Sequence, residues 1–286
     1  MAETAETVRN MFGDGLYQRR ARKALPILIR QAGSKKPIFY ADLAAELEMP
    51  NPRNLNFVLG CVGTTLQELG ASQSRFGEIP HIQSLVVNQD KKLPGTGFEG
   101  FLAERAPNYA RLTRTEKRAY LEGYWLESFA YPYWQAVLEA LKLPKASGSA
   151  IAAIEQAKRG SGGGGEGPEH LALKKHVQKN PACVGFRRGS VGALEAPLPS
   201  GDKIDVFFSS NDRLLAVEVK SSISNEADLV RGLFQCVKYR SVMMAEQAFR
   251  GNAVEIDALL VVGREFPESL NPLRNSLGVT VKEVIR

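Results

Sequence analysis

Two short apolar runs that carry acids at matching places constrain this chain most. The first is Gly201-Asp202-Lys203-Ile204-Asp205-Val206-Phe207-Phe208; the second is Leu214-Leu215-Ala216-Val217-Glu218-Val219-Lys220. Both are rich in Val, Ile, Leu and Phe, and polar residues recur with period two, as in β-strands. The turn-forming cluster Ser209-Ser210-Asn211-Asp212-Arg213 separates them. With Asn211-Asp212 as the two loop residues of a tight hairpin, Ser210 faces Arg213. Phe208 then pairs with Leu215, Val206 with Val217, and Asp205 with Glu218. Opposed residues sit about 5 Å apart at Cβ, so the two carboxylates repel. A bound divalent cation would supply the reason for keeping them together.

The faces of this hairpin divide in the same sense. Ile204, Val206, Phe208, Leu215, Val217 and Val219 form an apolar set suited to a core. Lys203, Asp205, Phe207, Ala216, Glu218 and Lys220 share the other face, so Lys220 serves the same place as the two acids. The plainer alternative is a surface hairpin with charges paired as Lys203–Asp205 and Glu218–Lys220.

A chain of 286 residues is long enough for two modest domains. No run of eighteen apolar residues occurs, so no membrane span is expected. The start, Met1-Ala2-Glu3-Thr4-Ala5-Glu6, is acidic and polar, unlike a secretory signal. Cys61, Cys183 and Cys236 are widely spaced and fit no ligand pattern; free thiols in a reducing cytoplasm are expected. The net charge of +6 is uneven: residues 1–160 hold 21 Lys/Arg against 16 Asp/Glu. A basic N-terminal half favours a nucleic-acid partner, and a solvated helix face is the plain reading of the same charges.

Residues 16–32 have a helical apolar stripe at Leu25, Leu28, Ile29 and Ala32. Pro37–Tyr40 reads as extended and 41–47 as a short helix. Asn51 reads as an N-cap with Pro52 at the first helical position of a helix running to Leu69-Gly70. Helix, turn, helix places Arg53, Asn54 and Asn56 at the start of the second helix, where they could read base edges or phosphates. Ile79–Asn88 reads as a strand, Gln89–Lys92 as a turn, and Leu93–Phe98 as its return. That hairpin suggests a winged helix with Lys91 and Lys92 at the wing tip. About sixty residues here resemble the DNA-binding domain of the alkylguanine transferases. The stretch that matches their Pro-Cys-His-Arg-Val strand is Ile79-Pro80-His81-Ile82-Gln83, which has no cysteine. The resemblance therefore implies a binding scaffold without acceptor chemistry.

Residues 113–141 read as helical, broken at Pro132, with an aromatic row (Tyr120, Tyr124, Trp125, Phe129, Tyr133, Trp134) expected to pack between domains rather than to stack bases. Residues 145–167, with four consecutive glycines, read as a linker. They divide a nucleic-acid-binding domain at 1–144 from a second domain at 168–286. The second domain orders its elements α-β-β-β-α-β. A helix follows Pro168, and Gly192–Leu198 is a first strand ahead of the hairpin. A helix capped at Ser224–Asp228 follows, then the buried strand Ile256–Val262 and an edge strand near Val279–Val284. His170 and His176 read as surface residues of the first of these helices.

This domain resembles the PD-(D/E)xK nuclease superfamily, the restriction-endonuclease-like fold. Its signature is an acid on one strand, Glu-x-Lys on the next, and often a helical glutamate before them. Asp205, Glu218-Val219-Lys220 and Glu169 occupy those places, and Gln235 and Tyr239 match a Gln-x-x-x-Tyr pattern of some branches. No proline precedes Asp205, and Asp202 is a rival that the register turns onto the apolar face. The resemblance implies Mg2+, or Mn2+ in its place, held by Asp205, Glu218 and Glu169. It also implies Lys220 as the group that orients water or stabilises charge, with Gln235 and Tyr239 holding phosphate or the catalytic groups. The order of parts is similar to Mrr-like restriction enzymes, which often carry glutamine where this chain has Glu218. That likeness implies a DNA endonuclease in defence against foreign DNA, working as a homodimer or higher oligomer, with defence-system partner proteins conceivable. The alternative is an inactive nucleic-acid-binding sensor or accessory subunit on the same fold.

Overall fold

The computed structural model describes residues 9–103, 105–146 and 167–285. The chain forms two compact units, Met1–Gly148 and Ser149–Arg286. Most of the expected linker, residues 147–166, lies outside the described residues.

The first unit is helical. Helix α1 (Leu16–Gly33) buries Leu25, Leu28, Ile29 and Ala32, the expected stripe, against Leu55, Val58, Val62 and Leu66 of α3 (Leu55–Ser72). Between them lie a two-residue strand β1 (Ile38–Phe39) and α2 (Tyr40–Glu46). A buried bidentate ion pair fixes α2 to α1: Arg30 Nη2 lies 2.6 Å from Glu46 Oε1 and Nη1 2.9 Å from Oε2. Arg30 is thereby withdrawn from the basic surface. Asn51 accepts the Arg53 N–H at 3.0 Å as foreseen, but the turn it caps is a 3₁₀ turn, Pro52–Asn54, and the α-helix starts only at Leu55.

The wing hairpin does not form. Val86–Val87 is a two-residue strand, β2, paired in parallel with β1, and no strand returns after it. Asn88 closes a tight turn by accepting the Asp90 and Lys91 N–H groups. Pro94 lacks an N–H for a ladder, and residues 96–102 coil into 3₁₀ turns instead. Helices α4 (Arg114–Ala130) and α5 (Trp134–Ala140) are separated at Pro132 as foreseen. Of their aromatic row, Tyr124, Trp125 and Trp134 are buried in the first unit's own core, Tyr120 and Phe129 pack against it, and Tyr133 is exposed.

The second unit is a five-stranded mixed sheet in the order β3 (Ala193–Pro197), β4 (Lys203–Ser209), β5 (Arg213–Lys220), β6 (Glu255–Val262), β7 (Thr280–Glu283). The first three strands are antiparallel and the last three parallel. The hairpin register is the foreseen one: Val206 opposes Val217 and Phe208 opposes Leu215. Helix α6 (Pro168–Lys179) packs Leu173 and Val177 on Val206, Phe208, Val217 and Val219. Helix α7 (Glu226–Phe249), capped reciprocally by Asn225 and Asp228, packs Leu229, Leu233 and Tyr239 with Ala216, Leu260 and Val262. Alternate residues of one strand point to opposite faces, so α6 and α7 cover the two faces of the sheet. A short helix α8 (Asn271–Leu277) leads into β7.

Two expectations about this hairpin change. The face with Ala216 and Glu218 is not open, because β5 is an inner strand and α7 lies over it. Ile204 does not share a cluster with Val206 and Phe208: it is buried among the α7-side residues, with Ala216 and Leu260. The strand turns over at Asp205, as its pairing indicates.

Candidate active site

On the β3 side of β4, Leu194–Val206 and Ala196–Ile204 are paired, while Glu195 and Asp205 between them are not. Glu195 has φ of 51°, which a β-branched or bulky residue rarely adopts. On the other side, the ladder to β5 stops at Val206–Val217. The Asp205 carboxylate takes the place of the next rung: its Oδ2 accepts the Val219 N–H at 2.8 Å. A side chain has replaced a backbone acceptor, and the strand rotates there, carrying Ile204 to the α7 side.

From α6, Lys174 Nζ lies 3.3 Å from Asp205 Oδ1, and His170 Nε2 lies 3.6 Å from the same oxygen. Lys174 is 2% exposed and also pairs with Glu195. A buried ammonium is costly unless it is paired and bonded in this way. Burial pushes the Asp205 carboxyl up; the His170 bond, the Val219 N–H and the Lys174 charge outweigh it and hold the group below the usual aspartate range.

Glu218 is treated differently. Its side chain is 4% exposed, with Lys220 Nζ 2.7 Å from Oε1. The Tyr239 hydroxyl is 3.0 Å from Oε2 and 3.0 Å from the Lys203 carbonyl, and its single proton serves one of them at a time. Burial, and next the charge of Asp205, raise the Glu218 pKa, and the Lys220 and Tyr239 contacts undo only part of this. Burial and the Glu218 charge also push the Tyr239 hydroxyl up, so it stays a donor. Gly232 on α7 lets that helix approach: a Cβ there would lie 3.2 Å from Lys220 Cε and 2.9 Å from Leu260 Cδ1.

The structure therefore brings Asp205, Glu218, Lys220 and Tyr239 together, with Gln235 joined through its Nε2, 3.5 Å from the Tyr239 hydroxyl. Tyr239 is fully buried, so it positions Glu218 and does not face a substrate. Glu169 is exposed and accepts the Ser222 hydroxyl at 2.8 Å, two residues past Lys220. Asp202 lies before the strand, bonded to Ser200 and Lys238 at the other side of Lys203. The paired-charge alternative holds for Glu218–Lys220, whereas the cations beside Asp205 are Lys174 and His170. His170 is thus not a bare surface residue, while His176 lies beside Asn180 at the end of α6. Cys236 is buried near Glu218, and all three thiols are free.

Lys174, His170 and Glu195 were not anticipated. The signal was present on α6, where His170, Leu173, Lys174 and Val177 fall at i, i+3, i+4 and i+7, the places of an apolar stripe. Two of the four are polar, and a lysine buried on a core-facing stripe, as Lys174 is, needs a partner.

The expected metal ligands Asp205 and Glu218 are hard oxygen donors, and each of their oxygens already faces a protein hydrogen-bond donor. Two carboxylates supply oxygen, the number that Mg2+ commonly takes from protein while keeping water. Counting Glu195, three carboxylates stand against the ammonium groups of Lys174 and Lys220. Among the described residues no group of three or more His, Cys, Asp or Glu side chains that could hold a metal ion is found.

In the first unit, Arg53 and Asn56 are exposed at the start of α3 and Asn54 is half-buried. Lys91 is exposed in the turn after β2, and the Lys92 ammonium lies 4.3 Å above the Phe39 ring. No helix among the described residues is long and apolar enough to cross a membrane. No family model, curated protein or solved structure matches this chain.

Proposed function

We propose that the protein is a metal-dependent DNA endonuclease of the restriction-endonuclease-like fold. The observation that carries this reading is the meeting of Asp205 and Glu218 from neighbouring strands with Lys220 on Glu218. Asp205 and Glu218 would hold the ion. Mg2+ bound there polarises a phosphate and acidifies a water, which phosphodiester hydrolysis needs. Lys220, 18% exposed, offers its ammonium to the charge that develops on the phosphate. Tyr239 and Lys174 keep the two carboxylates in place. The basic first unit would bind DNA, with Arg53, Asn54, Asn56 and Lys91 as contacts. Cutting both strands would favour a homodimer, and a role in defence against foreign DNA fits that activity.

The test is incubation of the full chain with plasmid, linear, methylated and single-stranded DNA, in Mg2+ and in chelator. Cleavage in Mg2+ alone is expected, with Asp205→Ala and Lys220→Ala each losing about 10³-fold. Undiminished cleavage by either variant would sink the assignment.

One observation favours a second reading, an inactive accessory protein. All four oxygens of Asp205 and Glu218 already face protein groups that can donate hydrogen bonds. That reading expects salt-sensitive DNA binding without turnover in any divalent ion.

A further inference from the structure

Apart from the exposed Tyr133, the aromatic row of 120–134 packs in or against the first unit's core, and a second, stacked aromatic pair lies open. Tyr17 of α1 and Phe57 of α3 stack with ring centroids 4.9 Å apart and planes at 26°. They are 37% and 38% exposed, and Leu16, preceding Tyr17, is 50% exposed. A single exposed apolar side chain is ordinary; a stacked pair contributed by two helices and left in water is a patch.

The turns of chain that carry the two rings bear cations and no acid. Arg20 follows Leu16 and Tyr17 by four and three residues, one helical turn, and Lys23 stands at the next. Arg53 precedes Phe57 by four residues, with Asn56 exposed beside it. From Leu16 to Gly33 α1 contains no acid, and neither does Pro52 to Phe57. The acids nearest in sequence are Asp14, two residues before Leu16, and Glu48, five before Arg53, and both lie outside the two helices that carry the rings.

Aromatic faces among arginine and lysine suit an unpaired nucleic-acid strand: rings stack on bases while the cations meet phosphates. Base faces are hidden within a duplex, so a ring pair gains little from intact double helix. We propose that Tyr17 and Phe57 form a stacking platform for unpaired bases, which directs the protein to single-stranded or locally opened DNA. This rests on the nucleic-acid reading above and adds the substrate class to it.

The test uses the full chain in chelator, so that nothing is cut, and fluorescence anisotropy with two labelled probes: a plain duplex and the same duplex with a single-stranded gap. The wild type binds the gapped probe more tightly. Tyr17→Ala and Phe57→Ala each weaken that binding about ten-fold and leave duplex binding unchanged. A Phe57→Trp variant gives a direct readout, since Trp125 and Trp134 are buried and the new indole is the exposed one. Its fluorescence is quenched by single-stranded DNA. Equal affinities of wild type and alanine variants for the gapped probe, with duplex binding intact, overturn the platform and leave the nucleic-acid reading standing. Failure of the wild type to bind either probe overturns both. Altered sedimentation of the alanine variants without altered DNA binding overturns the platform too and assigns the patch to contact between copies of the chain.

Discussion

Asp205 is served from α6 and Glu218 from α7, the helices that cover the two faces of the second unit's sheet. On the α6 side, a backbone N–H, a buried lysine and a histidine surround Asp205 and hold its proton affinity down. On the α7 side, a tyrosine and a lysine meet Glu218, yet burial and the neighbouring aspartate push its proton affinity up. Two carboxylates a strand apart thus form an unequal pair. Asp205 is kept charged by the fold itself, and Glu218 bears a charge that burial and Asp205 both oppose. A cation between them would relieve Glu218 far more than Asp205.

The largest expected break in this comparison is on the α6 side. Lys174→Met keeps the length and apolar stem but leaves Asp205 and Glu195 without their shared cation. Removing one partner of a buried ion pair costs about 3 kcal/mol, and Glu195 is partly exposed, which places the loss at the low end. Urea denaturation should show that loss, and Glu195→Gln in the Lys174→Met background should recover part of it. A Lys174→Met variant as stable as the wild type would remove Lys174 from the support of Asp205.

The matching change on the α7 side is smaller. Tyr239→Phe takes the hydroxyl from Glu218 Oε2 and from the Lys203 carbonyl while keeping the buried ring. A buried acceptor left without a donor costs about 1–2 kcal/mol. If Tyr239 positions Glu218, the variant also requires more Mg2+ for half-maximal cleavage. A purely structural tyrosine would lower stability and leave that requirement alone.

These two supports were unequally legible in sequence. Val206–Val217 and Phe208–Leu215 were fixed by a two-residue loop and period-two alternation, local rules that tertiary packing did not override. Tyr239 and Gln235 were singled out by their resemblance to a Gln-x-x-x-Tyr pattern, whose spacing of four puts both on one helix face. Lys174 escaped because its partners, Glu195 and Asp205, come from strands remote in sequence, and Ile204 escaped because the strand turns at a side-chain bond to Val219 N–H. In the first unit Val86 and Val87 have strand propensity, but their partner is Ile38–Phe39, nearly fifty residues upstream, and Pro94 denies them a returning strand. Alternation identifies a strand without naming its neighbour.

The unequal pair also gives opposite pH dependences in the metal-free protein. Asp205 has a depressed folded pKa, so its contribution is present above the ordinary aspartate range and is lost as pH falls through the folded value. Glu218 has a raised folded pKa, so its contribution is full below the ordinary glutamate range and is lost as pH rises through the folded value. Stability measured by denaturant between about pH 3 and pH 8 should lose its acid-side slope in Asp205→Asn and its opposing slope in Glu218→Gln. Glu218→Gln should therefore be the more stable protein near neutrality in chelator. A Glu218→Gln protein less stable than wild type there would mean that Glu218 is not strained.

The smallest effect should come from Gly232, and it separates positioning from stability. Alanine is better than glycine inside a helix by about 1 kcal/mol, and the added methyl would meet Leu260 Cδ1 and Lys220 Cε at 2.9 and 3.2 Å. Both neighbours are side-chain atoms that can shift by a few tenths of an ångström, so gain and strain nearly cancel and the melting temperature should hardly move. Lys220, however, holds Glu218 Oε1 at 2.7 Å, and a displaced ammonium would no longer sit where the proposed hydrolysis would need it. Gly232→Ala should then lower the single-turnover cleavage rate several-fold at saturating Mg2+ with an unchanged melting curve. An unchanged rate would show that Lys220 tolerates displacement and acts only as a partner to Glu218. A fall in both stability and rate would show instead that α7 has no room to yield, and that its approach at Gly232 belongs to the core.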